Sequence, residues 1–71
     1  MNEWIATPES SNLNGFGYDK ANQILIVEFA SGGRYEYTDV EQSVFKKMKS
    51  AKSKGKYVHS NIKNNYKCNK I

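Results

Sequence analysis

The residues with the clearest chemical potential are lysines in the second half of the chain. Ammonium groups neutralise phosphates and release counterions, so clustered lysines bind nucleic acid in a strongly salt-dependent way. Ser53-Lys54-Gly55-Lys56 adds a candidate anion-binding loop, although it lacks the glycine spacing of a P-loop. The alternative to nucleic-acid binding is that these lysines form an ordinary solvated surface. The candidate nucleic-acid-binding residues are Lys46, Lys47, Lys49, Lys52, Lys54, Lys56, Tyr57 and Lys63.

Charge is divided unevenly along the 71 residues. Residues 1–41 hold seven acids and two bases, for a net charge of −5, whereas residues 42–71 hold nine lysines and no acid, for +9; the sum is +4. Such a division favours a polyanionic partner. Together with the partly apolar face at Ile24 and Ile26, it also allows a second hypothesis, a small factor that binds and modulates another protein.

Catalytic chemistry is not indicated. His59 and Cys68 are a possible base and nucleophile, but no acid follows Glu41 to orient the histidine. The acids lack a metal-ligand spacing, and one cysteine allows no internal disulfide. We therefore expect a non-enzyme without cofactor or metal. No apolar run is long enough for a membrane span, so we expect a cytoplasmic protein, monomeric or weakly dimeric.

A β-hairpin is the predicted frame of the fold. Residues 13–18 and 24–29 read as strands, the second with alternating apolar residues. A three-residue turn at Ser31-Gly32-Gly33 pairs Phe29 with Tyr35 and Val27 with Tyr37. That register places Tyr35 and Tyr37 on the apolar face, as core residues. The alternative is that both tyrosines are exposed as stacking platforms for unpaired bases.

A helix follows the hairpin. Asp39 is the expected N-cap, with Gln42 completing a capping box, and Gly55 is the expected stop. A short second helix is expected near residues 58–63, followed by an irregular end packed on the sheet. The apolar stripe of the first helix is Val40, Val44, Phe45, Met48 and Ala51.

Several short motifs occur together in a recognisable order. They are Ser10-Ser11-Asn12-Leu13, Gly17-Tyr18-Asp19, Leu25-Ile26-Val27-Glu28-Phe29, Gly32-Gly33-Arg34-Tyr35-Glu36-Tyr37, Val40, Ser43-Val44-Phe45, Ser53-Lys54-Gly55-Lys56-Tyr57, Ile62-Lys63 and Tyr66. In this order they resemble the KTSC domain family, named after a domain at the C-terminus of some lysyl-tRNA synthetases and also found as small single-domain bacterial and phage proteins. The resemblance implies RNA as the preferred nucleic acid, because RNA binding has been suggested for that domain. It also implies, for the alternative of a protein partner, a phage- or prophage-type factor that modulates a host protein.

Together these observations predict an α+β fold. A three-stranded antiparallel β-meander packs against one main α-helix, with a short C-terminal helix. Residues 10–71 form a single KTSC-like domain, and residues 1–9 an N-terminal extension that is either flexible or docked.

Overall fold

The fold is α+β, as predicted, and its sheet has five strands. The computed structural model describes residues 3–7 and 11–71. Its strands are β1 (Glu3–Ala6), β2 (Leu13–Asp19), β3 (Ile24–Phe29), β4 (Arg34–Tyr37) and β5 (Cys68–Lys70). Between β4 and β5 come helix α1 (Gln42–Ser50), helix α2 (Lys54–Tyr57) and a π-helix (Val58–Ile62). Residues 1, 2 and 8–10 of the predicted extension and domain start lie outside the described residues.

The sheet is an antiparallel meander in which the strand order follows the chain order from β1 to β5. The prediction of three strands was therefore wrong by one strand at each edge. Ile5 pairs with Phe16 in β1, and Cys68 pairs with Tyr37 in β5. The irregular end expected after the second helix is thus partly a strand, which backbone hydrogen bonds to β4 hold at the sheet edge.

The β3–β4 hairpin has a three-residue turn, as expected, but one residue earlier than predicted. Val27 pairs with Tyr35 and Leu25 with Tyr37, so the predicted register is wrong by two residues. The turn closes with the Phe29 N–H donating to the Gly33 carbonyl at 2.8 Å. Gly32, at φ 102°, takes the left-handed conformation that the turn requires. A two-residue shift keeps every side chain on its face, and both tyrosines lie on the core face.

The core lies between this face of the sheet and the helices. Phe45 of α1 stacks on Tyr18, with ring centroids 4.9 Å apart, and meets Phe16 edge-on at 5.7 Å. Tyr37 is buried, and Tyr35 is half-buried against the same cluster. The predicted helical stripe is confirmed in part. Val44, Phe45 and Met48 lie on α1 and face the core. Val40 is buried but precedes the helix, and Ala51 follows it.

Helix α1 begins differently from the prediction. Its N-cap is Glu41, whose side chain makes no capping hydrogen bond. Asp39 has φ 59°, a left-handed conformation that aspartate tolerates but that an N-cap residue does not adopt. The predicted capping box is therefore wrong. Val40 is instead held by its backbone: its N–H donates to the Gln23 carbonyl at 2.9 Å, and its carbonyl accepts from the Tyr18 hydroxyl.

Gly55 does not end the first helix. Helix α1 stops at Ser50, because Ala51 is extended at φ −68° and ψ 139°. Ser53 then caps α2, with its hydroxyl oxygen accepting from the Lys56 N–H at 3.3 Å. Gly55 is buried inside α2. The short second helix is present, but it begins at Lys54, earlier than predicted.

The outer face of the sheet, opposite the helices, carries one exposed aromatic residue. Trp4 of β1 is 47% exposed and lies across Gly15 of β2. A Cβ at Gly15 would stand 2.8 Å from the indole Cζ2. The Arg34 guanidinium lies 5.2 Å from the indole centroid and forms an ion pair with Glu28 at 2.6 Å. This contact ties β1 to β4 across the outer face.

Candidate functional site

The first predicted site residues lie on α1, on the side away from the core. Phe45 and Met48 point inward and are buried, which leaves Lys46, Lys47 and Lys49 exposed. The Lys49 ammonium lies 5.0 Å from the Phe45 ring centroid and makes a cation–π interaction with it. The arrangement follows from helical periodicity, which places an apolar stripe and a polar face on opposite sides.

The next four site residues follow in the connection and in α2, which contacts α1. Lys52 and Lys56 are exposed, whereas Lys54 and Tyr57 are half-buried. The Lys54 ammonium donates to the Ala51 carbonyl at 2.9 Å and so closes the end of α1. We use the term "lysine surface" for Lys46, Lys47, Lys49, Lys52, Lys54 and Lys56.

The predicted anion-binding loop is not an open loop. Residues 54–56 form the first turn of α2, and the Ser53 side chain already accepts from the Lys56 N–H. The Ser53 carbonyl accepts from the Tyr57 N–H at 3.0 Å. The Lys56 and Tyr57 amides are thus already paired within the helix turn and do not face an anion.

Three exposed lysines on α1 and α2 have no carboxylate partner in the described part of the chain. Within residues 3–7 and 11–71, Lys46, Lys47 and Lys56 form no ion pair. The ion pair between Arg34 and Glu28 lies on the outer face of the sheet.

Lys63, the remaining site residue, follows the π-helix and lines a groove of about 740 Å³. The groove runs between the hairpin turn, α2 with its π-helix, and β5. Aromatic and small residues of the sheet form one wall. Its described lining residues are Ser11, Asn12, Phe29, Ala30, Ser31, Tyr35, Tyr37, Gly55, Val58, His59, Lys63, Asn64 and Cys68.

Sequence reasoning did not find this groove, although it had singled out several of its residues. Tyr35, His59, Lys63 and Cys68 were each considered separately. The lining comes from segments far apart in the chain, and no spacing in the sequence connects them. Tyr57, a predicted binding residue, is half-buried, and its ring packs against the core.

Burial affects the acidity of two tyrosines. Desolvation raises the pKa of Tyr18 above its ordinary 10.0, and the nearby carboxylates of Asp19 and Glu41 raise it further. Desolvation also raises the pKa of Tyr37, with smaller contributions from Cys68 and Tyr35. Both phenols are thus held in the neutral form, in keeping with core positions.

In the described part of the chain, no group of three or more His, Cys, Asp or Glu residues is placed to hold a metal ion. Nor does any helix there have the length and apolar character to cross a membrane.

Comparison with known sequences identifies a family. The KTSC domain model matches residues 9–66. A lysine–tRNA ligase from a Nostoc species is 38% identical over 63 residues, which is 89% of this chain but 11% of the ligase. The chain therefore spans about a tenth of that relative's length. A protein from Tsukamurella paurometabola is 40% identical over 55 residues, covering 78% of this chain and 82% of its own.

Comparison with solved structures agrees with this family assignment. The crystal structure of a KTSC domain protein from Yersinia pestis superimposes with a TM-score of 0.92 at 31% identity. The match covers 100% of this chain and 99% of the Yersinia chain. The fold is thus shared with a KTSC domain protein.

Proposed function

This chain belongs to the KTSC domain family, and we propose that it is a non-enzymatic domain that binds nucleic acid, with RNA preferred, through its lysine surface. The observation that carries the proposal is the division of α1 into two faces. Phe45 and Met48 fix one face in the core, so the lysines on the other face must point outward. Lys63 extends the same positive charge to the groove.

The charge pattern supports a polyanion over a neutral partner. From residue 42 onward the chain has nine lysines and no Asp or Glu, so no carboxylate side chain of that segment pairs with the ammonium groups. Phosphate contacts of this kind position a strand without reading its sequence. We therefore expect binding to be weak, sensitive to salt and tolerant of sequence.

The preference for RNA over DNA is supported by relatives rather than by geometry. The Nostoc relative is called a lysine–tRNA ligase, so its name includes an RNA. The match concerns a segment of about 11% of that protein, the size of an added domain. An added domain that contacts RNA would be useful to such a protein, and the same contacts would serve this chain.

A fluorescence-anisotropy titration tests the proposal with a short single-stranded RNA at two salt concentrations. The double variant Lys46→Gln/Lys47→Gln removes two exposed charges from the lysine surface. We expect its log–log salt slope to be shallower by about 1.4, since each phosphate contact on a single strand contributes about 0.7. The matched control Lys20→Gln/Lys67→Gln removes two exposed lysines elsewhere.

Two results would contradict the proposal. Absence of binding to RNA and DNA at low salt would remove the function altogether. An equal loss in the control variant would show that net charge, rather than the lysine surface, attracts the strand.

A protein partner is the second candidate function, and the outer face of the sheet favours it. Trp4 is 47% exposed there, and Ile24 and Ile26 are half-buried on the same face. Apolar surface beside charged residues is typical of protein interfaces. A pull-down with nuclease treatment separates the candidates: a partner retained after nuclease and lost in Trp4→Ala supports protein binding.

A further inference from the structure

We infer that the groove receives one unpaired base of the bound strand, which makes single-stranded RNA the ligand class. This inference rests on the proposed function and adds a second, chemically different contact to it. The lysine surface would hold phosphates, whereas the groove would hold a base.

The groove begins where the lysine surface ends. Gly55 lines it and lies in α2 between Lys54 and Lys56. A strand whose phosphates follow the lysines of α1 and α2 therefore arrives at the rim of the groove. Lys63 stands at the same groove, so the next phosphate also has a cation to contact.

The lining has the chemistry that a nucleotide requires. None of the described lining residues is Asp or Glu, so nothing repels a phosphate. Lys63 and His59 offer donors to the phosphate, and the side-chain amides of Asn12 and Asn64 can donate to and accept from a base edge. A volume of about 740 Å³ lies within the range of ~300–1,000 Å³ that is usual for small-ligand sites.

Tyr35 provides an aromatic wall for stacking. Its ring meets Phe29 edge-on, with centroids 5.5 Å apart and planes at 78°, and this contact fixes its orientation. Tyr35 is half-buried, unlike Tyr37, and both line the groove. Stacking of an unpaired base on such a ring is worth about 1–3 kcal/mol per base, whatever the base.

The backbone at the groove is unusual as well. Val58–Ile62 is a π-helix, and the Lys63 N–H donates to the Val58 carbonyl, five residues back, at 2.8 Å. π-Helical turns are rare and occur frequently at functional sites. Here the wider turn carries His59 and is followed directly by Lys63, the two groups assigned to the phosphate.

The geometry favours an unpaired strand over a duplex. A base in a duplex is stacked and paired, so it cannot enter a groove between a hairpin turn and a helix. Loops and single strands present bases that can be splayed out. Binding by the lysine surface alone would not distinguish the two forms.

The test is an ¹⁵N NMR titration of the whole chain with two probes, a short oligouridylate and an abasic ribose-phosphate strand of the same length. We expect both probes to shift the amide signals of Lys46 and Lys47. Only the oligouridylate should shift those of Asn12, Ser31 and Tyr35, on the sheet and hairpin side of the groove.

The outcomes separate the two proposals. If the oligouridylate shifts the α1 signals but not the groove signals, the inference is overturned and the proposed function stands. If neither probe shifts any signal at low salt, both are overturned. If the abasic strand shifts the groove signals as much as the oligouridylate, the groove holds phosphate only and the inference is wrong.

A variant provides an independent measurement. Tyr35→Leu should weaken oligouridylate binding about 5- to 150-fold, which corresponds to the ~1–3 kcal/mol of one stacked base. Affinity for the abasic strand should be unchanged, which distinguishes lost stacking from lost folding. Equal weakening for both strands, or no weakening for either, would contradict the inference. Tyr66→Leu, at a half-buried tyrosine outside the groove lining, is the matched control.

Discussion

Substitution of Tyr18 by phenylalanine tests how the sheet positions α1. Tyr18 lies on β2 and is 4% exposed, and its hydroxyl donates to the Val40 carbonyl just before α1. Phenylalanine keeps the ring and its stacking on Phe45 at 4.9 Å, so the change removes one oxygen atom only. The Val40 carbonyl would then be buried without this donor, because Val40 is 0% exposed.

The expected loss follows from that carbonyl. Leaving a buried acceptor without its hydrogen bond costs about 1–3 kcal/mol, more than the net value of an average hydrogen bond. For a domain of this size each kcal/mol lowers the thermal midpoint by about 4–8 °C. Urea and thermal unfolding followed by circular dichroism would measure both. Tyr66→Phe is the control, since the structure shows no hydrogen bond of the Tyr66 hydroxyl within the described residues.

The same variant has a signature at alkaline pH. Because the folded-state pKa of Tyr18 is raised, its contribution to stability is fully present below the ordinary value of 10.0 and is lost as pH rises through the folded-state pKa. Above pH ~10, the Tyr18→Phe variant should therefore lose less stability with rising pH than the parent protein does. Some loss remains in the variant, because the pKa of Tyr37 is raised as well. A stability within ~0.3 kcal/mol of the parent at neutral pH would refute the role assigned to the hydroxyl.

Three further predictions concern other parts of the fold. Gly15→Ala should destabilise by about 1–3 kcal/mol in urea unfolding, because the new Cβ would stand 2.8 Å from the Trp4 indole; an unchanged midpoint would contradict the placement of Trp4. Phe45→Ala should lower the free energy of unfolding by about 3–5 kcal/mol, because the ring packs against both Phe16 and Tyr18. Absence of a folded baseline in thermal denaturation would agree with this, whereas a decrease below ~1 kcal/mol would contradict it. Hydrogen bonds from Arg34 and then Asn14 lower the pKa of Glu28 below its ordinary 4.5, so this carboxylate stabilises the fold above that pH and loses its effect as pH falls through the lowered value. Arg34→Gln should move the Glu28 pKa back upward in a ¹³C NMR titration, and an unmoved pKa would show that the ion pair is not maintained in solution.

The central strands could be predicted because their own residues carry the pattern. Leu25 and Val27 alternate with outward-facing residues, and both are 0% exposed in the fold. The hairpin turn was placed one residue too late because either of two adjacent glycines can supply a positive φ, and only Gly32 does. The two tyrosines were assigned to the correct face, since a shift of two residues preserves it.

The edge strands could not be predicted because pairing, not composition, makes them strands. Cys68–Lys70 is exposed at every position and has no apolar face to recognise. Glu3–Ala6 is four residues long, too short for a periodic signal. Their partners are decided by tertiary structure, which overrides local propensity.

The helix boundaries were missed for a related reason. Aspartate is a preferred N-cap residue, which is why Asp39 was expected to start the helix. The Val40 backbone, however, is hydrogen-bonded to both Gln23 and Tyr18, so the N-cap of α1 lies two residues later, at Glu41. Gly55 satisfies the preference of a helix stop, but Ser53 starts a new helix before it. The candidate lysines were predicted from composition, whereas the groove depends on which distant segments meet, and a single sequence does not contain that information.

The order of the strands also bears on how the domain forms and opens. The four strands from β1 to β4 are neighbours in sequence as well as in space, so each pairing closes a short loop and can form early. The pairing of β4 with β5 joins Tyr37 to Cys68 and has to enclose both helices first. We expect β5 to fold last and to show the fastest amide exchange of the five strands, because it is short, exposed and at an edge. Cys68 of β5 is also part of the groove, so transient detachment of this strand would widen the entrance without unfolding the rest.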